Sequence, residues 1–318
     1  MSVHKWIAGL QSDTPVLEAA ARVLKLRFKT VAHFLPLAAN EPEKDVEYVH
    51  QLRVSSRRAA AALAMFTDLM PKKRLRPLRK QLRKIRRAAG NARDWDVVQI
   101  HLRDWSKQRP KSEQAGIQFL QGLSFDRRLQ SQKTLVELAD ASLDVQDAID
   151  HLDLGSEYSK NRTLGEHAVP FLDGLQDVLH AAIETDTGDY EHLHRIRIAG
   201  KELRYAMEIG APCFQPPFKE VLYKAIEEMQ EILGTANDSH VAVQWLSALR
   251  DELKKYQPAE WRAVRPGIDQ LLQYHRRRLP AQRRQFAAWL KRWRKQHQRF
   301  SDLALAPASL AITERTHS

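Results

Sequence analysis

The sequence predicts an all-α protein made of two copies of one helical unit, and three observations carry that prediction. Good helix formers (Ala, Leu, Arg, Lys, Gln and Glu) dominate the 318 residues, and only 12 are glycine. Apolar residues recur at three- and four-residue intervals, as in Leu78, Leu82, Ile85 and Ala89 and again in Leu222, Ile226, Met229 and Leu233; alternating β-branched runs are absent. A constant shift of 144 positions relates these two sets, and the same shift carries His50 to His194, Arg53 to Arg197, Arg57 to Lys201, Gly90 to Gly234 and Asp94 to Asp238. A gapless correspondence from His50 to Val97 reads as an internal duplication.

Each copy is too long for a solenoid repeat and has the length of a four-helix bundle. In the first copy the apolar periodicity predicts helices near 15–35, 45–68, 72–107 and 112–142. In the second it predicts them near 166–184, 190–210, 216–255 and 262–299. Pro71 and Pro212 follow the second helix of each copy, where a helix stop is expected. Further on the shift grows to 150, where RRLQSQK (127–133) lies over RRLPAQR (277–283), and an insertion around 258–266 accounts for the change. The predicted organisation is a first bundle over 10–143, an acidic linker over 144–163, a second bundle over 164–300 and a loose tail over 301–318. Gly90 and Gly234 fall inside the third helix of each copy, where a glycine costs about 1 kcal/mol against alanine. Either a helix break or a close backbone approach would explain them.

The charge balance narrows the partner. Fifty-one Lys and Arg against 39 Asp and Glu give a net charge of +12, which favours a polyanion: nucleic acid, an anionic membrane or a phosphate polymer. A single cysteine, Cys213, rules out a disulfide framework within the chain and fits a reducing cytoplasm. No secretory signal and no apolar run long enough to span a membrane is present.

On a helix of about 100° per residue, His50, Arg53 and Arg57 share one sector while Leu52, Ala59, Leu63 and Phe66 share the core-facing one. In the second copy His194, Arg197, Lys201 and Arg204 form the matching row, bordered by Tyr205. Cations stacked a turn apart repel, so a row without interleaved acids is incomplete until an anion lies along it. The run KKRLRPLRKQLRKIRR (72–87) adds ten cations and no acid, with Arg79, Arg83 and Arg86 flanking its apolar row. Residues 275–299 hold another ten, including Arg283, and Arg22, Lys25 and Lys29 share a face of the first helix. Guanidinium forks and ammonium groups lining a groove are suited to a chain of phosphates.

The segments His50-x-x-Arg53-Val54-x-x-Arg57-Arg58 and His194-x-x-Arg197-Ile198-x-x-Lys201-x-x-Arg204-Tyr205 resemble the paired signature helices of the CHAD family, the conserved histidine α-helical domain. Ala89-Gly90-x-x-Arg93-Asp94-x-Asp96-Val97 and Leu233-Gly234-x-x-Asn237-Asp238 resemble its third-helix motifs. The resemblance covers roughly 10–300. It implies two pseudo-symmetric four-helix bundles around a basic central groove or pore, inorganic polyphosphate as the ligand, and association with polyphosphate granules in some members. The ExExK strand motif of the triphosphatase domain fused to some members is missing, which implies a stand-alone, non-enzymatic binding module. Three positions depart from the pattern: Ala60 stands where a further basic residue is usual, Glu202 follows Lys201 where the first copy has Arg58, and Glu227 stands opposite Arg83.

Rival readings are weaker. Nucleic acid would share the phosphate contacts, but the tryptophans sit at helical spacing, as in Trp289 and Trp293, and are expected in cores. His50 and His194 could act as phosphoryl acceptors or general acids, yet each opens a row of cations with no carboxylate on its own face. Asp94, Asp96 and Asp238 are too few for a metal cage and are expected to pair with arginines or a neighbouring helix. No metal and no cofactor is implied. Membrane-surface binding would use apolar faces that the bundles need.

Overall fold

The computed structural model describes residues 5–141, 154, 162–184, 189–296 and 299–305. Eight long helices are found among them: α1 Val16–Asn40, α2 Glu47–Met65, α3 Lys72–Ser106 and α4 Lys111–Ala141, then α5 Leu164–Glu184, α6 Tyr190–Gly210, α7 Lys224–Tyr256 and α8 Pro258–Gln296. A π-helical turn, Phe218–Tyr223, leads into α7. No strand occurs among the described residues, only the isolated bridges Pro15–Thr163 and Phe214–Ala304. The fold is all-α, and its second set of four helices follows the order of the first.

Local rules explain several ends. Thr163 and Glu166 form a reciprocal cap at the start of α5, Thr163 N donating to Glu166 Oε2 at 2.8 Å and Glu166 N to Thr163 Oγ1 at 3.3 Å. Asp189 caps α6 by accepting from Glu191 N at 3.2 Å. Pro258 opens α8 at its first position, where a missing N–H costs nothing. α1 runs past Pro36 to Asn40 because Ala38 and Ala39 continue its buried stripe.

Two expectations change, and a third falls outside the described residues. The insertion at 258–266 does not interrupt the helices: the shift of 144 puts Ser106 on Arg250, and α7 simply continues to Tyr256 while α8 runs through Pro266. The tail is not loose from 301. Phe300 and Leu303 are buried, Phe300 lies edge-on to Phe218 at 5.2 Å, and Leu305 N donates to Cys213 O at 2.9 Å. The acidic linker lies almost wholly outside the described residues, as does the tail beyond Leu305.

The two sets of helices pack against each other. One core draws on both sets, and a second core gathers Leu102, Leu120, Leu246, Leu253, Trp261 and Ile268 at the far ends of the α3–α4 and α7–α8 hairpins. α4 crosses α8 at a pair of glycines: a Cβ on Gly116 would sit 2.2 Å from Val264 O, and one on Gly267 would sit 2.4 Å from Glu113 O. Only glycine permits that approach. On the other side α2 packs against α6, and Trp95 of α3 meets Trp245 of α7 edge-on at 5.5 Å. These contacts hold α2 against α6 and α3 against α7.

Candidate anion-binding cleft

The two predicted cation rows meet where α2 and α6 pack. Arg53 and Arg57 from α2 face Arg197 and Lys201 from α6, and the four repel one another. Burial, followed by repulsion from Arg57, Arg197 and Arg53, pushes the Lys201 ammonium down to about 6 from its ordinary 10.5. Burial also lowers Arg57, with Arg53 next, and it lowers Arg197 against the pull of Asp238. Among the described residues no carboxylate lies within salt-bridge distance of Arg57, Arg197 or Lys201, and Arg197 Nε is a buried donor with no partner. Buried, mutually repelling donors of this kind are satisfied by an anion.

His50 and Arg93 extend the cluster. Burial does most to hold His50 below its usual value; Glu47 opposes it, and Arg93, Arg53 and Arg57 add to it. Arg93 Nη1 is another buried donor without a partner. Arg53 alone of the four central cations holds a carboxylate, bonding Asp94 Oδ1 at 2.6 Å. Asp94 is 64% exposed, and a pair with so exposed a carboxylate contributes roughly 0–1 kcal/mol. In the second copy His194 Nδ1 lies 3.0 Å from Asn237 Oδ1.

α3 supplies a second row. Arg79, Arg83, Gly90 and Arg93 fall on one helical face with Arg86. Arg79, Arg83 and Arg86 line a pocket with Ala60, Leu63 and Leu82, so α3 brings guanidinium groups to the place where Ala60 interrupts the row on α2. Arg79 Nη2 donates to Thr67 Oγ1 at 2.6 Å. α3 runs unbroken through Gly90 and α7 through Gly234, and a Cβ at either would meet nothing within 4 Å. Neither a helix break nor a close backbone approach explains them; Gly90 opens space on the α3 face that carries Arg79, Arg83, Arg86 and Arg93.

Several predicted site residues lie elsewhere. Arg58, beside Arg57 in sequence, turns about 100° away and is buried in an ion pair with Glu208, its Nε 2.6 Å from Oε2. Arg22 donates to Gly9 O at 2.9 Å, and Lys25 and Lys29 share its exposed side of α1; none of the three bears on the electrostatics of the four central cations. Arg204 Nη1 lies 3.5 Å from Glu227, which also holds Lys5 at 2.9 Å. Tyr205 is buried, and its hydroxyl accepts from Arg204 Nη2 at 3.1 Å and from Arg57, so it positions cations. Arg283 covers the Tyr190 ring, 4.6 Å from its centroid, away from the central four. Glu202 is exposed and turns outward. Trp289 and Trp293 are buried.

No helix among the described residues is long and apolar enough to cross a membrane. A chain similar in structure is the CHAD domain from the plant Ricinus communis, at 23% identity with a TM-score of 0.66, covering 92% of this chain and 96% of that one. Another is PptA from Streptomyces chartreusis, at 16% identity with a TM-score of 0.61, covering 86% and 98%. At these identities the likeness speaks for the fold. No curated protein matches by sequence. The CHAD domain family model matches residues 29–247, most of the chain and every element around the cleft, and the chain belongs to the CHAD domain family.

Proposed function

We propose that the protein binds inorganic polyphosphate in this cleft without turning it over. The observation that carries the reading is the group Arg57, Arg197 and Lys201: half-buried cations from two helices, depressed by burial and by one another, with no carboxylate among the described residues at salt-bridge distance. Membership of a family that binds inorganic polyphosphate supports the same ligand. A phosphate chain would run from the central cations along α3 toward Arg83 and Arg86, each phosphate meeting a donor from a different helix. In the cell, such binding would act in the cytoplasm, with polyphosphate granules as one place of action.

Titration with polyphosphates of defined length tests this. Affinity is expected to rise with chain length and to fall steeply with salt, because each contact adds little and releases counterions. Competition by DNA or RNA at matched phosphate concentration should be weak, and no orthophosphate should be released with Mg²⁺ present. Length-independent binding, or stronger binding of nucleic acid, would overturn the ligand; phosphate release would overturn the non-enzymatic part.

The open glycines give a second expectation. Gly90→Ala should raise helix stability by about 1 kcal/mol, and Gly90→Leu should keep most of that gain while weakening polyphosphate binding several-fold by filling the face shared with Arg86 and Arg93. Thermal melting alongside titration checks both signs. Unchanged affinity in Gly90→Leu would show that the polymer does not pass this position.

A further inference from the structure

A second recess opens at the end of the α6 cation row, between α6 and α7, and its lining differs from the cleft. Leu193, Leu233 and Ala236 form an apolar floor. Tyr190 and His240 stack beside it, with ring centroids 4.4 Å apart and planes within 7° of parallel. Asn237 and Gln244 bring amides to the same space. His194 lines this recess and also opens the row to Arg197 and Lys201. At 1.5 Å of rise per residue, Lys201 lies about 10 Å along α6 from His194.

We propose that this recess takes an aromatic base, so that a nucleoside triphosphate binds with its base against His240 and its phosphates on Arg197 and Lys201. The proposal rests on the polyanion reading of the cleft and adds an end-group to it. Apolar floor, flat aromatic wall and amide hydrogen-bonding groups are what a purine or pyrimidine needs, and inorganic polyphosphate can use neither the floor nor the wall. Asn237 Oδ1 faces His194 Nδ1 at 3.0 Å, which leaves the amide N–H groups of Asn237 for a base acceptor.

The first copy shows that the cation row does not require this pocket. At the matching positions Tyr190 becomes Val46, Asn237 becomes Arg93 and His240 becomes Asp96. Asp96 is bonded to Arg128 at 2.6 Å, so charge stands where the second copy has a ring. The aromatic stack therefore belongs to one end of the cleft alone. Burial, with Arg283 and His194 nearby and Asp189 opposing, holds His240 below its usual value, so at pH 7.5 its removal takes no positive charge from the site.

Calorimetric titration of the whole chain with ATP and with tripolyphosphate, in Mg²⁺-free buffer at pH 7.5, tests this on the wild type and on His240→Ala. ATP should bind about tenfold more tightly than tripolyphosphate, the scale of one base stacked on an aromatic side chain. His240→Ala, a substitution at a half-exposed surface, should erase that advantage and leave tripolyphosphate unchanged. ATP binding no tighter than tripolyphosphate, or an advantage that survives in His240→Ala, would overturn the base site and leave the polyanion cleft standing. Failure of the wild type to bind either compound or long-chain polyphosphate would overturn the cleft as well.

Discussion

Replacing Arg57 and Lys201 together by glutamate is expected to abolish polyphosphate binding while leaving thermal stability unchanged or raised. The two cations face each other across the α2–α6 contact with no carboxylate among the described residues at salt-bridge distance. A hydrogen bond to a charged group contributes about 1.5–3 kcal/mol, so losing two removes on the order of 100-fold in affinity or more, and reversed charge adds repulsion. In the free protein the same change relieves strain, because each new carboxylate would stand among Arg53 and Arg197. Lost binding with an unchanged or higher melting temperature is the signature of a site that holds its cations at a cost to the fold. A variant that binds normally would put the ligand elsewhere; one that unfolds would make these residues structural. Lys201 adds a pH dependence. Its folded value of about 6 lies below the ordinary 10.5, so between those values the unfolded chain binds the extra proton and stability rises with pH. A bound polyanion favours the ammonium, so binding takes up a proton and weakens as pH rises from 6 to 9. Calorimetry in buffers of different ionisation enthalpy measures the uptake, which Lys201→Met should lose.

The pH response also shows where sequence reasoning stopped. Histidine is the side chain whose ordinary value lies near pH 6, and His50 opens the α2 row. The structure places His50 among Arg93, Arg53 and Arg57 and holds it lower, while the ammonium of Lys201 comes down into that range. Burial and neighbours from another helix make that exchange, and neither is written in local spacing. Much else was legible. The apolar period gave all eight helices, and the shift of 144 paired Arg53 and Arg57 with Arg197 and Lys201, the residues that meet at α2–α6. Arg58 is the instructive failure. Its place outside the sector of His50, Arg53 and Arg57 was readable from 100° per residue, but its partner, Glu208, lies on the other copy. The crossing of α4 over α8 at Gly116 and Gly267 was equally hidden, since neither glycine has a counterpart at the shift of 144 or 150. The open faces at Gly90 and Gly234 needed coordinates, because a sequence shows a missing side chain but not what surrounds it.

Glu208→Leu is expected to cost the fold about 3–5 kcal/mol, the scale of a buried ion pair that loses one partner. The Glu208 side chain is 0% exposed. It accepts from Arg58 Nε at 2.6 Å and Nη2 at 3.3 Å and from the Tyr223 hydroxyl at 3.0 Å, with Arg27 Nη2 at 3.8 Å. Burial, and then Arg58, already push Arg27 down to about 10, so removing this carboxylate takes a shared counter-charge from two buried guanidinium groups. The pair also ties α2 of the first copy to α6 of the second, on the side where the central cations are set. Urea denaturation reads the loss directly. Arg58→Met is the companion variant: it should lose several kcal/mol as well, yet at a temperature where it stays folded it should bind polyphosphate as the wild type does. That combination separates Arg58 from Arg57, its neighbour in sequence. Weakened binding in Arg58→Met with stability unchanged would mean instead that Arg58 leaves Glu208 to meet the polymer, and the line between the scaffold and the cleft would have to be redrawn.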